Sequence, residues 1–99
     1  MAAGLILHFP PSVGEHEYDA VSSHLGMNMR TGEGEWPEGL QSHAAGPTED
    51  GWIVTEIWES KEAQGVFMEG RLGPALHATN QPEPARVIWF DIAATQHRH

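Results

Sequence analysis

Ninety-nine residues, 39% of them hydrophobic and 19% charged, suit one folded domain rather than a disordered chain. Fourteen acids against five Lys or Arg leave a formal charge of −9, with no basic patch, which argues against nucleic acid or an anionic membrane as partner. There is no cysteine, so disulfides, thiolate nucleophiles and cysteine-ligated metals are excluded.

The first segment, residues 3–9 (AGLILHF), is a short apolar run closed by Pro10-Pro11 and predicts a buried strand. Met1–Leu7 lacks a basic flank and its apolar run ends by His8, so neither a signal peptide nor a membrane span is expected, and the cytoplasm is the default setting. Ser12-Val13-Gly14-Glu15 has the S-x-x-E pattern of a capping box and predicts a helix start. Tyr18, Val21 and Leu25 fall on one face of that helix, and Gly26 is placed to end it. Residues 26–38 (GMNMRTGEGEWPE) then read as a long loop, with Trp36 as an apolar ring suited to a lid.

A second strand is predicted at 39–46, a turn at Pro47–Gly51, and the strongest strand of the chain at 52–58 (WIVTEIW). Ser60 can cap a second helix with Ala63, Val66 and Phe67 on its apolar face. Gly70 and Gly73-Pro74 are expected to break it before a short helix that carries Leu76 and His77. Residues 79–85 read as a loop, 86–92 (RVIWFDI) as the last strand, and 93–99 as a frayed tail. The order β-α-β-β-α-β predicts a single α+β domain over 1–99, with a ferredoxin-like, four-stranded antiparallel sheet and both helices on one face. The third and fourth strands have apolar residues on both faces (Trp52, Val54 and Trp58 against Ile53 and Ile57; Val87 and Trp89 against Ile88, Phe90 and Ile92). A second copy of the chain is the simplest cover for the face without helices, so a homodimer is expected.

The stretch Ile57-Trp58-Glu59-Ser60-Lys61-Glu62-Ala63, followed by Phe67 and by His77 ten residues later, resembles the dimeric α/β-barrel superfamily, and within it the antibiotic-biosynthesis-monooxygenase (ABM)-like domains. The resemblance spans roughly residues 3–92. It implies a pocket between sheet and helices and an oxygenase-like or cyclase-like enzyme for an aromatic or polyketide-like compound, working without a cofactor. Haem-degrading relatives are similar in placing a haem-ligating histidine where His77 stands, which makes a haem-binding protein with His77 as axial ligand one alternative. Their tryptophan and asparagine positions hold Phe67 and His8-Phe9 here. Related cyclases are similar in using a first-strand histidine and one late in the second helix, a pair that His8 and His77 would imitate. A non-catalytic dimeric ligand-sensing or interaction module is the third reading.

Four residues are candidates for acid–base work. His77 follows the Gly73-Pro74 break near a helix start, His43 lies among small residues in the second strand, and His8 lies in the first. Glu56 alternates with Trp52, Val54 and Trp58, which places a carboxylate on an apolar face where it needs a partner, Arg86 and Arg71 being the structural candidates. Trp36, Trp58, Phe67 and Trp89 could line a pocket for a planar ligand, although core packing accounts for most aromatics at such spacings. No metal site is expected. His16-Glu17-Tyr18-Asp19-Ala20 lacks the second histidine of H-E-x-x-H, and His97-Arg98-His99 lies in a tail with no supporting shell.

Overall fold

A computed structural model of the chain describes residues 2–29 and 31–95. It contains β1 (Ala3–Phe9), α1 (Glu15–Leu25), the two-residue strands β2 (Met27–Asn28) and β3 (Glu33–Gly34), β4 (Leu40–Thr48) and β5 (Gly51–Trp58). These are followed by α2 (Lys61–Phe67), a π-helical turn (Met68–Leu72), α3 (Gly73–Ala78) and β6 (Arg86–Asp91). Four strands form one sheet in the order β4-β5-β1-β6, every neighbouring pair antiparallel, and β2 pairs with β3 in a small separate hairpin. The expected ferredoxin-like α+β architecture is therefore present. No described helix is long and apolar enough to cross a membrane.

Register explains which side chains meet. β1 lies between β5 and β6, with Leu5 opposite Glu56 and Trp89, and Leu7 opposite Val54 and Val87. Because side chains alternate across a strand, Leu5, Leu7, Trp52, Val54, Glu56 and Trp58 share one face, which is buried beneath the helices. Leu25 of α1, Phe67 of α2 and Ala75 of α3 complete that core. The opposite face presents Ile6, Ile53, Ile57, Ile88 and Phe90, and no described helix packs on it. Phe90 lies directly on Gly4 and is still half exposed.

Several local expectations are corrected. The helix start sits two residues later than its sequence signature and keeps only half of a capping box: Gly14 is the N-cap, without a side chain to accept, and the Glu17 carboxylate accepts its backbone N–H at 2.9 Å. Gly26 does end α1, in the left-handed conformation at φ 76°. Residues 26–38 are not a plain loop, since β2 and β3 pair Met27 with Gly34 and Asn28 with Glu33. β4 continues through Pro47 to Thr48, leaving a two-residue turn, and the proline is tolerated because β4 is an edge strand. Val66 is exposed on α2 rather than on its apolar face.

The largest local difference lies at Gly73-Pro74. Proline has no N–H and its ring crowds the carbonyl four residues back, which normally breaks a helix. Here the preceding turn widens to π geometry, Gly73 N–H donates to Met68 O, and the helix runs on into α3. Of the expected tail, Ala93–Thr95 have no regular structure; His97 and His99 lie outside the described residues.

Two glycines of the β2–β3 hairpin test its backbone. Gly34 has φ 104°, and a Cβ there would run into Gly26 O, whereas Gly32 at φ 75° faces open space. Gly34→Ala is expected to cost roughly 2–3 kcal/mol in urea unfolding, and Gly32→Ala about 1 kcal/mol. Equal losses would contradict the hairpin geometry.

Candidate active site

The alternation of β5 turns the Glu56 carboxylate inward, where the residue is 8% exposed. A carboxylate in that position is costly unless hydrogen-bonded. Trp58, fully buried two residues along the same strand, donates its indole N–H to Oε1 at 2.9 Å. His43 supplies the second partner, its Nδ1 lying 2.8 Å from Oε2. Neither Arg71 nor Arg86 takes the role considered for it in the sequence, because Arg71 is engaged elsewhere and Arg86 sits opposite His8 on the other face of the sheet.

His43 reaches Glu56 because of an irregularity in β4. Leu40 pairs with Trp58, but the next register pair is Ser42 with Ile57, so Gln41 is an extra residue. A bulge of this kind shifts the alternation by one and re-aims the following side chains. Leu40 and His43, three apart, consequently face the same way, and His43 pairs directly across from Glu56. Trp36 secures this corner by donating its indole N–H to Leu40 O at 3.0 Å.

The chain of contacts continues to α1. Tyr18 Oη lies 2.5 Å from His43 Nε2, and the two rings stack with centroids 6.0 Å apart. An ionised Glu56 only accepts, so it selects the Nδ1–H form of His43, and Nε2 is left to take the Tyr18 hydroxyl proton. The relay Trp58–Glu56–His43–Tyr18 thus reaches a phenol oxygen. A proton taken up by that oxygen can be balanced by passing the Tyr18 proton to Nε2, and the reverse movement delivers one.

Tyr18 and His43 border two adjacent spaces. The inner one, about 60 Å³, lies between sheet and helices and is lined chiefly by apolar residues such as Leu7, Val21, Phe67 and Leu76. The outer groove, about 290 Å³, runs along the small residues Ala44, Ala45 and Gly46 of β4, with Glu15 at its rim. Tyr18, His43, Met29 and Trp52 border both. The inner space is well below the ~150 Å³ that holds a benzene ring in an engineered apolar cavity, so a ring-sized ligand must extend into the groove or displace Met29.

Met29 belongs to the segment between β2 and β3, and Arg71 of the π turn holds this hairpin in place. Its guanidinium donates to Leu25 O at 2.8 Å and to Glu35 O at 2.7 Å, and lies over the Phe67 ring at 5.4 Å. One side chain therefore ties the end of α1, the hairpin and a cavity-lining aromatic together.

The other residues singled out in the sequence are distributed as follows. Phe67 lines the cavity; Trp58 is beneath it as the Glu56 donor; Trp89 packs against the core with Lys61 Nζ 5.2 Å from its ring, outside the cavity lining. Trp36 braces β4 and borders neither space, which corrects its expected lid role. His8 projects from the opposite face of the sheet, opposite Ile53 and Arg86. His77 is exposed in the last turn of α3 and borders a separate hollow of about 380 Å³ with Glu83, Pro84 and Val87. The expectation that it sits at a fresh helix N-terminus fails, because the helix is continuous through Pro74. His77 does not line the inner cavity, so the haem alternative would have to use this separate hollow instead. Among the described residues, no three His, Asp or Glu side chains cluster so as to hold a metal ion. Tyr18 and Trp52 were read in the sequence only as core residues, since a helical apolar stripe and an apolar strand face account for both.

No protein-family profile and no curated protein matches this sequence. Solved structures do. A protein assigned to the antibiotic biosynthesis monooxygenases, from Chloroflexus aurantiacus J-10-fl, superposes with a TM-score of 0.68 at 13% identity over 98% of both chains. SnoaB, a cofactor-independent oxygenase from Streptomyces nogalater, gives 0.63 at 10% identity over 95% of each chain. A protein of unknown function from Nitrosomonas europaea gives 0.60 at 14% identity, covering 99% of this chain and 93% of its own. At such identities the likeness shows the fold alone, and this is the fold implied by the resemblance of Ile57–Ala63, Phe67 and His77.

The relay makes unequal demands on its members. Glu56→Ala would leave the buried N–H groups of Trp58 and His43 without an acceptor and is expected to cost about 2–4 kcal/mol. Tyr18→Phe keeps the ring and should cost no more than about 1.5 kcal/mol. Urea unfolding of the two variants checks this; a neutral Glu56→Ala would mean that the carboxylate is not held as described.

Proposed function

We propose that this chain is an ABM-like enzyme of the cofactor-independent oxygenase or cyclase type, acting on an aromatic or polyketide-like compound. The observation that carries the reading is the part-buried Glu56–His43–Tyr18 relay, which reaches the wall of an apolar cavity. Such a relay suits removal of a proton from a weakly acidic ring hydroxyl or methylene. In an oxygenase without a cofactor the substrate supplies its own electrons, so deprotonation to an electron-rich anion is the step the protein must assist. A cyclisation through an enolate makes the same demand. SnoaB, with the same fold, is described as a cofactor-independent oxygenase, which supports the oxygenase form.

The catalytic assignment falls on Tyr18 and His43, with Glu56 as the positioning residue; His77 and His8 are outside it. Oxygen consumption with a dihydroxyanthrone as substrate tests this. Tyr18→Phe and His43→Ala are expected to lower kcat by roughly 10²–10⁴-fold, with His77→Ala and His8→Ala within twofold of the parent. Loss of turnover in His77→Ala with Tyr18→Phe unaffected would contradict the assignment, as would a haem Soret shift abolished by His77→Ala.

We further propose that a second copy covers the sheet face bearing Ile6, Ile53, Ile57, Ile88 and Phe90, since a contiguous apolar face of this kind favours association. Light scattering at micromolar concentration should give twice the chain mass of 10.9 kDa. A mass of one chain would overturn the dimer.

A further inference from the structure

Trp52 faces inward from β5, is 6% exposed, and borders both the inner cavity and the outer groove. Its ring lies against Tyr18, with centroids 5.3 Å apart. Its indole Nε1 is buried and has no acceptor among the described residues. The contrast with its neighbours is informative, since the indole of Trp58 donates to Glu56 and that of Trp36 to Leu40 O. A buried N–H left unpaired costs about 1–3 kcal/mol, and an indole N–H can only donate. Such a group beside a cavity is satisfied by whatever enters it, provided the entrant carries an acceptor.

We infer that Trp52 is the ligand-anchoring donor of this site, and that the ligand is a neutral, ring-bearing oxo compound whose carbonyl oxygen accepts the Trp52 N–H. This inference rests on the reading of the cavity as a small-molecule site and adds its chemical class. The donor is uncharged, the lining is mainly apolar, and the acidic residues among the described lining are Glu15, Glu17 and Glu56, so an anionic ligand is disfavoured. A carbonyl also fits the neighbouring chemistry. Withdrawal of electron density at an oxygen held by Trp52 acidifies an adjacent C–H or conjugated O–H, within the reach of a phenol coupled to His43.

The test uses acetophenone and ethylbenzene, which are close in size but differ in the acceptor. Titrations are followed by ¹H–¹⁵N spectra of the indole N–H groups, with the Trp52 signal assigned from Trp52→Phe. Acetophenone is expected to bind five- to tenfold more tightly than ethylbenzene and to move the Trp52 N–H signal downfield, a shift ethylbenzene does not produce. In Trp52→Phe the two affinities should converge. The comparison within the parent protein stands even if that variant folds poorly. Equal binding of the two probes with no distinct Trp52 shift would overturn the anchoring role and leave the cavity reading intact, the N–H then being satisfied by water. Binding of neither probe would overturn both.

Discussion

The buried carboxylate of Glu56 is the constraint on which the rest of the site depends. Alternation along β5 leaves it no outward route, since its face-mates Trp52, Val54 and Trp58 are all in the core. It must therefore be satisfied within the protein. Trp58 can supply one donor from the same strand, but the second has to come from β4 across the sheet. A regular β4 with Leu40 in the core would turn His43 to the opposite face. The extra residue Gln41 resolves the conflict, and the local loss of ladder pairing is offset in part by the Trp36 indole on Leu40 O. Once His43 is fixed through Nδ1, its other nitrogen can only face α1, where Tyr18 meets it. The bulge, the tautomer and the contact with Tyr18 thus follow from one ionisable group placed on the wrong face for solvation.

The same geometry separates what the sequence makes legible from what it does not. Period-two alternation placed Glu56 among buried aromatics, and the order of elements predicted the sheet, because both depend on spacing alone. Ser60 was recognisable as a helix cap, and its hydroxyl does accept Ala63 N–H at 3.1 Å. The choice of partner was not legible. A charge complement for Glu56 suggests arginine, while the actual partner depends on a bulge that no residue type in Leu40-Gln41-Ser42 announces. Tyr18 was hidden by its own helix stripe, since a phenol among Val21 and Leu25 reads as core. His77 drew attention through Gly73-Pro74, a pair that ordinarily ends a helix; the π turn absorbs the proline, keeps the helix continuous and leaves the imidazole outside.

Access to the site depends on a different part of the chain. The β2–β3 hairpin contributes Met29 to both spaces, and Arg71 holds the hairpin from the π turn through two backbone carbonyls. Carbonyl acceptors make this attachment independent of side-chain ionisation at Glu35, whose carboxylate is 4.0 Å away and largely exposed. π turns commonly occur near functional sites, and this one joins helix continuity, hairpin position and the Phe67 wall of the cavity. A small inner cavity beside a larger open groove is consistent with a ligand that places one reactive edge inside and leaves its body along β4.

The most direct measurement of the relay is the protonation pattern of the His43 ring, read from long-range ¹H–¹⁵N correlation spectra of the imidazoles, with His43 assigned from His43→Ala. The predicted result is a single ring form carrying its proton on Nδ1, protected from solvent exchange, with that protection lost in Glu56→Ala. A ring protonated on Nε2 alone, or two tautomers averaged in free exchange, would show that Glu56 does not orient His43 and that no proton path reaches Tyr18 through it.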